Sequence, residues 1–241
     1  MSYYGKLCTI MYDLDKPFLP KEELLFYRGY MSSKDINILE PMCGSGRFYV
    51  PILKEGYKID GFDISKDMLQ ACIDKCEEIG ISPKVFQKDI TNFEMNKKYD
   101  LILIPFGSIC LIIDSEAAKS SLINIYNHLE KDGIFLVSFL NKNAKTNDIN
   151  EFTETKRKAV GEDVLIEYWN VKYEGSKNLM DYKLKYQLVN DDKIIEEEYM
   201  DFPIKLYQEE EFAKLLKEVG FNRAEKVSDD GNMIVFECRK G

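Results

Sequence analysis

A chain of 241 residues, 45% of them hydrophobic, can bury a core as one domain or as one domain with an elaboration. Its formal net charge of −9 argues against a large nucleic-acid footprint, because phosphate contacts need clustered lysine and arginine; Lys156-Arg157-Lys158 reads as a solvated charge run. No apolar run of about 18 residues is present to span a membrane, and the first residues lack the basic-then-apolar order of a signal peptide, so a cytoplasmic protein is expected.

Residues 1–33 are dense in tyrosine and leucine and are broken by Pro17 and Pro20, which predicts short helical pieces packed on the domain. Ile36, Ile38 and Leu39 form a short β-branched apolar run, a buried strand ended by Glu40 and Pro41. Gly44-Ser45-Gly46 then opens a helix that Gly56 closes. Strand, glycine turn and helix is the first unit of a doubly wound α/β fold, where ligands bind beyond the carboxyl ends of the strands. Residues 57–63 are a second strand ending in Asp63, about 20 residues past the turn, where such folds place a carboxylate against a ribose. Ser65 caps the next helix, whose apolar residues recur at helical intervals up to Gly80.

Lys84 to Gln87 is a third strand, and Asp89 follows it on the same rim as Glu40 and Asp63. Three acids there suit a ligand rich in hydroxyl and amino groups and repel a pyrophosphate. Tyr99 to Pro105 reads as a buried parallel strand, and Phe106-Gly107-Ser108 turns out of it. A helix over 116–130, terminated by Lys131-Asp132-Gly133, leads to a fifth strand over 134–140. The six cysteines are scattered; Cys72 and Cys76 have helical spacing but no further ligand pair, so core thiols and no metal are expected.

The alternation then stops. Residues 141–163 are polar without periodicity and are expected to be a long loop, followed by three strand-like runs over 164–174, 179–189 and 193–202. In the second, Met180, Tyr182, Leu184, Tyr186 and Leu188 alternate with mostly polar residues, the pattern of an antiparallel meander with one buried face. An insertion over 141–203 after strand five is therefore expected, as a lid over the rim or as a homodimer sheet. A helix over 208–219 and two strands flanking Asp229-Asp230-Gly231-Asn232 close the chain with a hairpin.

The resulting architecture is α/β: a doubly wound, mostly parallel seven-stranded sheet with a final antiparallel hairpin, plus an antiparallel β-meander insertion. It resembles the class I S-adenosylmethionine-dependent methyltransferases over about residues 34–140 and 204–241. The family's acid and glycine-rich turn are matched by Glu40 and Gly44-Ser45-Gly46, its ribose-binding acid by Asp63, its adenine-contacting acid by Asp89, and its fourth-strand motif by Asp100 to Phe106. Met42 stands where many members carry a further small residue. Nucleic-acid amino-methyltransferases usually show Asp or Asn, then Pro-Pro and an aromatic residue, after strand four; Ile104-Pro105-Phe106-Gly107 departs from that pattern, which with the acidic charge places DNA and RNA behind small molecules as substrates.

The resemblance implies S-adenosylmethionine as cofactor, held by Glu40, Met42, Gly44, Gly46, Asp63, Ile64, Asp89, Ile90, Pro105 and Phe106. It implies methyl transfer to O, N or C of a small-molecule acceptor by alignment and exclusion of water. Tyr4, Tyr12, Trp169 and Tyr207 are candidate walls of the acceptor pocket, with simple packing as the alternative for each. His128, the only histidine, lies near a helix C-terminus and is read as a dipole partner; no base is assigned. The competing functions are a non-catalytic cofactor-binding or scaffold protein, and an NAD-dependent dehydrogenase, which the missing third glycine and the terminal hairpin disfavour.

Overall fold

The structure, a computed structural model, describes residues 4–17 and 19–240; residues 1–3 and 18 of the expected N-terminal helical segment, and Gly241, lie outside the described residues. That segment forms helices α1 (Lys6–Asp15) and α2 (Lys21–Arg28). Then follow β1 (Asn37–Pro41), α3 (Tyr49–Lys54), β2 (Lys58–Asp63), α4 (Lys66–Glu78), β3 (Val85–Gln87), β4 (Tyr99–Ile104), α5 (Ser115–His128) and β5 (Leu129–Leu140). Four long strands come next, β6 (Ile149–Val160), β7 (Asp163–Glu174), β8 (Leu179–Asn190) and β9 (Lys193–Lys205), before α6 (Glu209–Val219), β10 (Phe221–Asp229) and β11 (Met233–Lys240).

The main sheet runs β10-β11-β5-β4-β1-β2-β3. Strands β1 to β5 pair in parallel, and β11 lies antiparallel between β5 and β10. Because β1 sits between β2 and β4, the chain winds outward on one side and then the other, which opens a crevice at the carboxyl ends of β1 and β4. Both faces of the sheet are covered. Leu39, Ile102, Phe135 and Val137 pack toward Leu122 and Ile125 of α5 and Phe212 and Leu216 of α6. Ile38, Leu101, Leu103 and Leu136 face Tyr27 of α2, Tyr49 and Ile52 of α3 and Leu69 and Cys72 of α4. The continuous apolar run of β4 reflects this two-sided burial.

Local signals act where the chain reverses. Ser65 Oγ accepts from Met68 N at 3.1 Å at the start of α4, and Asp114 Oδ1 accepts from Ala117 N at 2.8 Å at the start of α5. Glycines 56 and 220 take positive φ, at 84° and 121°, after α3 and α6.

Two segments differ from expectation. Residues 149–160, expected to lie in a loop, are β6, the edge of a four-stranded antiparallel sheet ordered β6-β7-β8-β9. An edge strand exposed on most of its length has no core face to impose alternation, and its register breaks twice against β7. Its Lys156-Arg157-Lys158 run is partly paired: Lys156 with Asp15 at 2.8 Å and Arg157 with Glu154 at 2.8 Å. Lys131-Asp132-Gly133 does not end a helix in coil but lies inside β5, whose Leu129 already pairs with Tyr99.

The second sheet buries Leu165, Val171, Met180, Tyr182, Leu184 and Tyr186 against Leu7, Cys8 and Met11 of α1. Glu198 of β9 fixes the first turn of that helix, accepting from Leu7 N at 3.0 Å and Cys8 N at 3.1 Å. Its other end is tied to the main domain: Asp13 Oδ1 accepts from Ser45 Oγ and from Lys75 Nζ, each at 2.6 Å. Helix α1 therefore bridges the glycine turn and the inserted sheet.

Candidate functional site

A cavity of about 310 Å³ opens at the carboxyl ends of β1, β2, β3 and β4. Nine of the ten expected cofactor residues line it: Glu40 at the end of β1 with Met42 and Gly44 just after it, Asp63 at the end of β2 with Ile64 after it, Asp89 and Ile90 after β3, and Pro105 and Phe106 after β4. Met42 and Phe106, which follow the neighbouring strands β1 and β4, both adopt left-handed backbone, with φ of 58° and 62°. Such backbone costs a side-chain-bearing residue on the order of 1 kcal/mol. It turns the chain sharply away from each strand end and leaves the crevice open.

Asp63 ties this rim together. Its Oδ2 accepts from Gly44 N at 2.8 Å and its Oδ1 from Ser65 N at 2.9 Å. Burial pushes its carboxyl above the ordinary aspartate value, and the N–H groups of Ser65, Gly44 and Ile64 pull against that. Asp89 Oδ1 accepts from both Thr91 N and Thr91 Oγ1 at 2.8 Å, which fixes the carboxyl plane and leaves Oδ2 unused.

Glu40 is 2% exposed, and among the described residues its Oε2 has no hydrogen-bond partner. Burial, and then the charge of Asp63, hold its carboxyl well above the usual glutamate value. An unpartnered buried carboxyl beside a second acid is a site that favours a cation. Opposite in character is Arg47, whose guanidinium lies 4.4 Å from the Phe106 ring centroid and whose Nε is buried without a partner.

Gly46, the tenth expected residue, stands apart from the other nine. It does not line the cavity; a Cβ there would stand 2.6 Å from Cys72 Sγ and 2.8 Å from Val50 Cγ2, so this glycine allows the turn to pack on α4. Tyr207 stands apart as well. It is 2% exposed, in the core against Phe212 and Phe139 at ring separations of 4.9 and 6.2 Å, and reaches neither cavity. His128 sits in the last turn of α5, where Nε2 accepts from Met95 N at 3.1 Å and Nδ1 faces Asn124 O at 2.8 Å.

A second cavity, of about 230 Å³, lies between α1 and the inserted sheet. Tyr4 and Tyr12 line both cavities, and Trp169 lines the second. Tyr12 is held protonated by burial, partly offset by Arg47. Sequence reasoning missed Arg47, although a cation directly after a glycine turn is a visible signal. It also missed the wall from Ser108 to Asp114 and the charged residues Asp15, Lys16, Lys156 and Glu167 of the second cavity. A short 3-10 turn at Ser108–Leu111 carries no periodicity, and the other four converge only through tertiary packing. Among the described residues no cluster suited to a metal ion occurs, and all six cysteines are buried free thiols.

Residues 38–133 match a family described as a methyltransferase domain. A protein of Geobacillus sp. (strain WCH70) named for a methyltransferase activity is 29% identical over 135 residues, 56% of this chain and 53% of that protein. The chain spans about half the length of the curated relatives it matches. Among solved structures, an S-adenosylmethionine-dependent methyltransferase from Clostridium acetobutylicum ATCC 824 superposes with a TM-score of 0.75 at 21% identity, covering 99% of both chains. The CcbJ methyltransferase from Streptomyces caelestis does so with a TM-score of 0.77 at 16% identity, covering 100% of this chain and 98% of that one. At these identities the superpositions establish the fold alone, the inserted sheet included.

Proposed function

We infer that this chain, which belongs with the class I S-adenosylmethionine-dependent methyltransferases, transfers a methyl group from that cofactor to an O, N or C atom of a small molecule held in the second cavity. The observation that carries this reading is the sharing of Tyr4 and Tyr12 by an acid-rimmed cavity and an aromatic one, so that two ligands would meet across a two-residue wall.

The larger cavity suits the cofactor on its own chemistry. Glu40, buried without a partner beside Asp63, favours a ligand with net positive charge and disfavours the phosphates of a dinucleotide. Asp63 would accept from the ribose hydroxyls, Asp89 Oδ2 from the adenine amino group, and Ile64 and Ile90 would flank the base. Arg47 Nε would donate to a carboxylate oxygen. The bound cofactor supplies an electrophilic methyl on a sulfonium, already a good leaving group.

What remains for the protein is alignment and dryness. Helix α1, pinned to Ser45 and Lys75 by Asp13 and to the inserted sheet by Glu198, keeps Tyr4 and Tyr12 in place between the cavities. The inserted sheet closes the acceptor side. Incubation with methyl-labelled S-adenosylmethionine and a metabolite extract should give label in a small molecule, dependent on both protein and extract. Cofactor binding without acceptor-dependent label under any condition would instead favour a non-catalytic binding protein.

A further inference from the structure

The second cavity is ringed by aromatic side chains. Tyr4, Phe202, Tyr182 and Trp169 succeed one another edge to face, with centroid separations of 5.5, 6.4 and 5.4 Å. Such a ring of faces and edges suits one flat guest. Both carboxylates of the cavity are already engaged. Asp15 Oδ2 accepts from Lys156 Nζ at 2.8 Å; Glu167 accepts from Thr155 Oγ1 at 3.0 Å and lies 3.5 Å from the same Lys156 Nζ. Lys156, 5.5 Å from the Trp169 ring centroid, thus holds the position that an incoming ammonium would need.

Apart from the tyrosine hydroxyls, which can donate or accept, the spare polar groups of the cavity are donors. Trp169 Nε1 is buried without a hydrogen-bond partner among the described residues. Lys16, at the end of α1, reaches only the Tyr12 ring, at 4.9 Å, and no carboxylate among the described residues pairs with it. Lys16 is exposed along its side chain, yet desolvation and then the charges of Lys156 and Arg47 hold its ammonium below the ordinary lysine value against the pull of Asp15 and Glu167, so an anion beside it would be favoured.

On the reading that this cavity receives the methyl acceptor, we propose that the acceptor is a single-ringed carboxylate, its ring among Tyr4, Trp169, Tyr182 and Phe202 and its carboxylate facing Lys16 and the Trp169 indole N–H. An amine would have to displace Lys156 from two acids. A neutral ring would leave both free donors unmatched.

Trp169 is the only tryptophan in the chain, so its emission reports this cavity directly. The test titrates benzoate, benzamide and benzylamine into the full chain saturated with S-adenosylhomocysteine. Benzoate should bind at least about tenfold more tightly than the other two, as a charge-assisted contact demands. Lys16→Met should abolish that preference and Lys16→Arg should keep it, with calorimetric affinity for S-adenosylhomocysteine equal in all three proteins. Benzamide or benzylamine binding as well as benzoate, no saturable response to any of the three, or an unchanged preference in Lys16→Met would overturn the proposal. Failure of S-adenosylhomocysteine to bind the unaltered chain would instead overturn the cofactor reading on which it rests.

Discussion

Replacing Gly46 by alanine should cost stability and spare cofactor affinity, whereas replacing Gly44, two residues earlier in the same turn, should cost less stability and weaken cofactor binding. At position 46 the backbone has a φ of 82°, and the new Cβ would stand 2.6 Å from Cys72 Sγ and 2.8 Å from Val50 Cγ2. Left-handed backbone costs about 1 kcal/mol and overpacking of this kind about 1–3 kcal/mol. The sum, about 2–4 kcal/mol, lowers the melting temperature of a chain this size by about 5–15 °C. At position 44, with a φ of 55°, the nearest atom is Met68 Sδ at 3.8 Å, an ordinary contact, so only the backbone cost of about 1 kcal/mol applies. Gly44 and Met68 both line the larger cavity, however, and the added methyl should weaken S-adenosylhomocysteine binding by about tenfold or more. Thermal unfolding and calorimetric titration of both variants read the two quantities separately. Equal melting temperatures for the two variants would refute the packing argument. So would a Cys72→Ala background in which Gly46→Ala costs as much as before, since that change removes the nearest clashing atom.

Glu40→Gln should stabilise the unliganded protein at neutral pH and weaken cofactor binding. Because burial and Asp63 raise its folded pKa above the unfolded value, the native state binds more protons between the two, and stability falls as pH rises through that window. The melting temperature of the unaltered chain should therefore fall relative to that of Glu40→Gln as pH rises above the ordinary glutamate value, while S-adenosylmethionine affinity of the variant drops by about 1–3 kcal/mol. A variant less stable than the unaltered chain at neutral pH would contradict this. Tyr207→Ala should destabilise by about 3–5 kcal/mol as a core truncation and leave ligand affinities of the folded protein unchanged; a selective loss of acceptor binding, read by titration below the melting temperature, would return Tyr207 to the pocket.

The rim was legible because each of its residues sits at a fixed offset from a short, strongly patterned strand. Glu40, Asp63 and Asp89 each end or follow one, and an apolar run bounded by an acid locates the strand end within a residue or two. Gly46 was less legible for the opposite reason: a glycine kept for packing and one kept beside a ligand look alike in sequence, and only the structure shows the approach of Cys72. Strand β6 was missed because an exposed edge carries no alternation. Tyr207 was misplaced because an aromatic residue before a helix says nothing of which side of the sheet will cover it. The second cavity was legible only in its aromatic members, since Asp15, Lys16, Lys156 and Glu167 come together from α1, its end and the inserted sheet, at separations of about 140 to 150 residues that no local pattern encodes.

The most direct test of the account is a calorimetric titration of the purified chain with S-adenosylhomocysteine, with NAD as the control. The acid rim of Glu40, Asp63 and Asp89 predicts micromolar binding of the first, on the order of 8 kcal/mol, and none of the second. Binding of NAD in its place would contradict the reading of those three carboxylates and the function built on them.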